Sequence, residues 1–181
     1  MHQEALEVLP ALREALGLER PLLLGHSTGA SMALIHAGAK RWPLAGVVAM
    51  APLCFVEDFN LQSIRQMQEV FRNTDLKQKM GRHHDDPEAV FWSWNNIWLL
   101  PAFGAWSIED SLPGIRCKVL AILGTGDEYS TPRQVDAIRR LAVNSAGVQV
   151  LKLAECGHSP QRDQPQRVLE ALVRFVDECE A

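Results

Sequence analysis

The sequence predicts an α/β fold: a mostly parallel sheet with flanking helices, interrupted by a helical cap. Three observations carry this. The apolar runs at 21–24, 44–52 and 117–123 are continuous rather than alternating, the mark of strands buried on both faces of a parallel sheet. Helical patterns alternate with those runs. The stretch from 53 to about 112 shows no buried strand and holds Trp92, Trp94, Trp98 and Trp106, four of the five tryptophans. The expected division is therefore a core of residues 1–52 and 113–181 and a cap of residues 53–112.

Taken in order, residues 1–17 form a helix on which Leu6, Leu9, Leu12 and Leu16 fall on one side, Gly17 is the stop and Pro10 bends or divides the whole. No strand stands ahead of it. The first strand, 21–24, breaks abruptly at Gly25-His26-Ser27-Thr28-Gly29. A small-residue helix follows, with Ala30, Met32, Ala33, Leu34 and Ala37, ending near Lys40 and Arg41, whose charges suit a helix C-terminus. Trp42-Pro43 closes it before the second strand.

In the cap, Trp94 and Trp98 share a helical face at i and i+4, and with His26 they are the candidates for lining an apolar substrate pocket. His83-His84-Asp85-Asp86 has ligand types without ligand spacing and reads as a solvated loop, so no metal is assigned. The third strand, 117–123, runs into Gly124-Thr125-Gly126-Asp127-Glu128, which puts an acid just past a strand end. A helix starts at Thr131-Pro132, with Val135, Ile138 and Leu141 as its stripe. The fourth strand, 148–153, ends in a loop carrying Gly157-His158. The last helix, from about 165, is expected to turn Val168, Leu169, Leu172, Phe175 and Val176 towards the body.

Length and charge bound the function. With 181 residues and a net charge of -4, and with no long basic run, the chain reads as one globule whose main partner is neither a nucleic acid nor a membrane. A small substrate that is not strongly ionic is expected. The cysteines, Cys54, Cys117, Cys156 and Cys179, are scattered without CxxC spacing, and there is no signal segment or membrane-length apolar run; a reducing, cytoplasmic setting follows as the expectation. No cofactor is expected.

The chemistry centres on Gly25-x-Ser27-x-Gly29. A nucleophile on a sharp strand-to-helix turn needs neighbours without Cβ atoms, and the helix start beside it offers free N–H groups, Thr28 N–H first, to an oxyanion. Asp127 and His158 each follow a strand of the same parallel sheet, so all three lie on one sheet edge. Glu128 is the alternative acid. Cys156 is the alternative nucleophile and lacks an elbow.

The elbow, the order Ser27, Asp127, His158, and the contexts Gly124-x-x-Asp127 and Gly157-His158 resemble the α/β-hydrolase superfamily. That resemblance implies Ser27 as nucleophile, His158 as general base and then acid, and Asp127 as the group that orients the imidazole. A serine at the elbow implies acyl chemistry, and the cap resembles those of members acting on small apolar or aromatic esters and on ring-cleavage products. The implied function is a serine hydrolase of a carboxylic ester or related acyl or C–C bond. An inactive remnant or binding module is the first alternative, and an acyltransferase or cofactor-free peroxidase on the same residues is another.

The resemblance also implies strands ahead of the serine strand, one of them followed by the loop that supplies a second oxyanion donor. This chain has neither. A helix beginning in mid-pattern leads to the expectation that Met1 is an internal methionine of a longer protein. The serine strand is then expected to have an unprotected edge, through which a homodimer would pair.

Overall fold

The first helix carries a fault that decides what it buries. In the computed structural model, which describes residues 1–180, a π-helical turn at Glu4–Val8 precedes the α-helix α1, Leu9–Ala15. Pro10 has no N–H to give Leu6, and the turn ahead of it widens, with Leu9 N–H bonding to Glu4 C=O five residues back. The extra residue rotates the helix. The leucine side expected from the sequence is therefore only partly covered: Leu6 and Leu9 are half-buried, Leu12 and Leu16 are 52% and 61% exposed, and Ala5 and Arg13 are the residues buried, at 0% and 5%.

Arg13 is held without a carboxylate partner among the described residues. Its guanidinium donates to Glu19 C=O at 2.8 Å and Pro43 C=O at 3.0 Å, and to His36 Nε2 at 2.9 Å. His36 is fully buried and stacks on Trp42 at 4.5 Å, and its Nδ1–H donates to Ala5 C=O at 2.8 Å. Burial first, and then the Arg13 charge, hold the His36 imidazole below its ordinary pKa, against the Ala5 hydrogen bond that works the other way. Stability from this neutral ring is full above the unfolded value of about 6.5 and is lost as pH falls through the lower folded value. The urea midpoint is thus expected to drop between about pH 7.5 and about pH 5.5, and the drop should shrink in His36→Gln.

Strand β1, Leu22–His26, follows, then helix α2, Thr28–Gly38, and strand β2, Gly46–Met50, which is buried at every residue. Helices α3 (Asp58–Asn73), α4 (Leu76–Met80) and α5 (Pro87–Leu99) come next, and then β3 (Lys118–Gly124), α6 (Arg133–Leu141), β4 (Val148–Leu153), α7 (Pro160–Asp163) and α8 (Pro165–Glu180). The four strands are all parallel in the order β1-β2-β3-β4. His26 pairs with Met50, Met50 with Ile122 and Ile122 with Leu151, so the loops after β1, β3 and β4 leave from one edge. On one face of the sheet Val48, Met50, Leu120, Ile122 and Leu153 pack with Val168, Phe175 and Cys179 of α8.

That last helix departs from its expected face. Val168, Phe175 and Cys179 are buried, with Leu172 partly so, whereas Leu169 is 61% and Val176 36% exposed. Two apolar residues that the helical pattern assigns to the core thus lie outside the stripe that meets the sheet.

The described residues divide into two units: Met1–Phe55 with the chain from Ser107 onward, and Val56–Trp106. The sequence put the boundaries at 53 and 112. Residues 53–55 and 107–112 pack with the first unit, because Ile108 N–H donates to Cys54 C=O at 2.7 Å, Phe55 bridges Ser107, and Ile108 and Leu112 are buried at 1% and 0%. The second unit is helical. Phe71 stacks on Phe91 at 3.9 Å, Trp98 meets Phe103 at 4.9 Å, and buried Asn95 donates to Ile64 C=O at 2.8 Å and accepts from Gln68.

At the sheet's other margin, β1 pairs only with β2 among the described residues. Leu24 is 52% exposed beside Val8 and Leu12, and an apolar groove of about 310 Å³ runs between α1, β1 and α2 past Gly29 and Met32. This explains an asymmetry between the two glycines of the elbow. A Cβ on Gly25 would lie 2.3 Å from Gly29 C=O, whereas one on Gly29 meets nothing within 4 Å. Gly25→Ala is expected to lose roughly 3 kcal/mol or to fail to fold, and Gly29→Ala to stay within about 0.5 kcal/mol, by urea unfolding of each.

Candidate active site

Ser27 occupies a backbone conformation that few residues adopt. Its φ is 56° and ψ -123°, held by its N–H donating to Met50 C=O at 2.9 Å and its C=O accepting from Ala30 and Ser31 N–H at 3.0 and 3.2 Å. Ser31, fully buried, pins the first turn of α2 further by donating to Leu53 C=O at 2.7 Å. Such a conformation costs about 1–3 kcal/mol and persists only when its surroundings over-determine it. Its effect is to lift Oγ out at the start of α2, beside first-turn N–H groups that have no intrahelical acceptor, Thr28 N–H among them.

Asp127 sits in the turn after β3, its carboxylate 0% exposed. Oδ1 accepts from Tyr129 N–H at 2.8 Å and Ser130 N–H at 3.1 Å, and Oδ2 accepts from Ser130 Oγ–H at 2.8 Å. Burial alone would raise its pKa. The bonds and charge of His158, with those from Tyr129 and Ser130, outweigh burial, and the carboxyl is held below its ordinary value. Asp127 is therefore an anion throughout the neutral range.

His158 follows β4 and faces both groups. Its Nδ1–H donates to Asp127 at 2.9 Å to Oδ1 and 3.0 Å to Oδ2, which leaves Nε2 as the acceptor for Ser27 Oγ–H at 3.0 Å. The backbone beneath it is fixed as closely. His158 N–H donates to Glu128 Oε2 at 2.9 Å, Gly157 N–H to Asp163 Oδ2 at 2.9 Å, and His26 Nε2–H to His158 C=O at 2.7 Å. The β3 and β4 loops also meet directly, since a Cβ on Gly124 would stand 2.2 Å from Cys156 C=O. A hydroxyl so placed can pass its proton to Nε2 while the buried carboxylate stabilises the resulting imidazolium.

The residues singled out from the sequence are thus sorted by position. Ser27, His158 and Asp127 come together. Glu128 reaches the backbone of His158 rather than its ring. Cys156 is buried, and burial raises its thiol pKa, with the nearby carboxylates adding to it. His26, a pocket candidate, uses Nε2 on the His158 loop. Trp94 and Trp98 lie in the other unit, Trp98 buried against Phe103 and Trp106 and Trp94 beside Phe91. Tyr129, whose ring stands edge-on to His158 at 4.9 Å, was not singled out, nor were Ser130 and Asp163. Asp127-x-x-Ser130 is an Asx-turn signal that would have revealed Ser130; nothing local marks Asp163.

A family model described as "Alpha/beta hydrolase family" matches residues 2–171. Solved structures agree on the fold. A proline iminopeptidase of Mycobacterium smegmatis is 16% identical at a TM-score of 0.70, with 99% of this chain and 72% of that one covered. A thermophilic esterase of Thermogutta terrifontis is 23% identical at 0.61, covering 96% and 71%, and a meta-cleavage product hydrolase of Pseudomonas fluorescens IP01 is 16% identical at 0.63, covering 94% and 69%. No curated protein sequence matches. Among the described residues no helix is long and apolar enough to cross a membrane.

Proposed function

The chain belongs to the alpha/beta hydrolase family, and from that premise we propose that it is a serine hydrolase acting on a carboxylic ester, or a related acyl or C–C bond, of a small apolar or aromatic substrate. The observation that carries the reading is the 3.0 Å contact from Ser27 Oγ to His158 Nε2, continued at 2.9 Å from Nδ1 to Asp127. In the proposed reaction Ser27 Oγ attacks the acyl carbon as its proton passes to Nε2. The oxyanion turns to Thr28 N–H. Collapse of the tetrahedral species returns the proton from Nε2 to the leaving group, and water, deprotonated by the same nitrogen, releases the acid from Ser27.

Thr28 N–H is the donor that this chain offers the oxyanion. One such donor is worth roughly 2.7–4 kcal/mol of barrier, so turnover is expected to be slow if it works alone. The test is a p-nitrophenyl acetate reaction with the 181-residue chain. A burst of nitrophenol stoichiometric with protein, followed by slower turnover, is the expected result. Neither burst nor turnover from folded protein would remove the reading.

A second reading, a binding module without turnover, is favoured by one observation, the strand edge of β1 that has no partner among the described residues. That edge also supports a homodimer paired through β1, for which sedimentation equilibrium is the check.

A further inference from the structure

We propose a second site, independent of Ser27, in a basic cavity at the opposite end of the sheet, built to hold a small phosphate-bearing anion. The cavity measures about 570 Å³ and lies where the strands begin rather than where they end. Arg20 before β1, Lys40 and Arg41 after α2, and Arg116 and Lys118 at the start of β3 line it, against the single carboxylate of Glu178. Five cations converging in a chain of net charge -4 is a local concentration that overall composition does not predict.

The cations are not neutralised from within. Glu178 already accepts from Gln149 Nε2 at 2.6 Å, and Lys118 Nζ donates to the Glu178 carbonyl. Arg20, Lys40, Arg41 and Arg116 are exposed and make no ion pair among the described residues. The negative end of α2 accounts for Lys40 and Arg41, which follow its last turn. It does not account for Arg20 and Arg116, which stand ahead of strands on separate segments that only the parallel topology brings together. A concave wall of one sign concentrates ions of the other, and guanidinium forks match phosphate oxygens.

The rest of the lining is apolar. Trp42, stacked on buried His36, stands with Pro43, Leu44 and Ala45 between the charges, which suits an anion that carries an organic part. Cys117 also faces the cavity, but burial pushes its thiol up to about 11, so the site binds and does not attack.

Calorimetric titration of the 181-residue chain with inorganic pyrophosphate at low ionic strength is the test. Saturable binding at one site is expected, weakened at least about tenfold in Arg20→Gln/Arg116→Gln and unchanged in Arg174→Gln, an exposed cation of α8 outside the cavity. Arg41→Gln gives an independent arm should the double variant fail to fold, with loosening of binding again expected. The ester burst should be the same in all of them. No saturable binding, or equal weakening by Arg174→Gln, overturns the proposal. So does binding of single-stranded RNA or of phosphatidylserine vesicles without binding of pyrophosphate, which would make the patch a polyelectrolyte face.

Discussion

Ser27→Ala is expected to lower ester turnover at least about a thousandfold, about 4 kcal/mol of barrier, with the fold retained. The N–H to Met50 and the carbonyl bonds to Ala30 and Ser31 are backbone and survive the change. What is lost is the hydroxyl oxygen 3.0 Å from His158 Nε2, the atom placed to attack. A companion variant separates chemistry from structure. Because Ser27 sits at φ 56°, Ser27→Gly relieves the strain and should gain roughly 1 kcal/mol in urea unfolding while being as inactive as the alanine variant. A serine kept there against stability is hard to explain without a role for its hydroxyl.

Asp127→Asn is expected to cost on the order of 10³–10⁴-fold in turnover at little cost in folding at neutral pH. The amide oxygen at the Oδ1 position still accepts from Tyr129 and Ser130 N–H. The amide nitrogen then takes the Oδ2 position, 3.0 Å from His158 Nδ1. A donor there replaces one of the two oxygens that Nδ1–H shares, so the tautomer with its proton on Nδ1 is held more weakly, by Oδ1 alone at 2.9 Å, and the negative charge that steadies the imidazolium is gone. Asp127→Ala, which leaves four donors without their acceptor, should be destabilised in addition. The acid limb gives an independent sign. The depressed pKa of Asp127 supplies stability that is present above the unfolded value of about 3.9 and lost as pH falls through the folded value. Acid unfolding of Asp127→Asn should therefore begin at lower pH relative to its own neutral stability than that of the parent.

The parts of this molecule written in local pattern were legible. A continuous apolar run such as 46–50 has no polar face to show solvent, and β2 is buried throughout. Parallel pairing then forces the strand ends, and with them Ser27, Asp127 and His158, to one edge whatever the details of the loops. What could not be read depends on partners distant in sequence. The helix spacing of Leu12 and Leu16 predicts a side for α1, but the π turn enforced around Pro10 turns Arg13 inward to carbonyls at 19 and 43. His26 next to the serine suggests a pocket residue, and its bond is to a loop more than a hundred residues away. The pattern treats Gly29 and Gly25 alike, because it does not reveal that one side of β1 has no paired strand among the described residues. The basic cavity was hidden for the same reason: its cations are scattered along the chain, and only the fold collects them.

If Ser27, His158 and Asp127 act as one unit in this chain, a fluorophosphonate will label it at Ser27. Folded protein, judged by far-UV circular dichroism, is expected to gain one covalent phosphonyl group, located on Ser27 by peptide mass spectrometry. Ser27→Ala should take none, and His158→Ala should label at least about a hundredfold more slowly, because Nε2 no longer accepts the proton. A folded chain that takes no label, or one that labels equally well without His158, would show that the three residues do not work together.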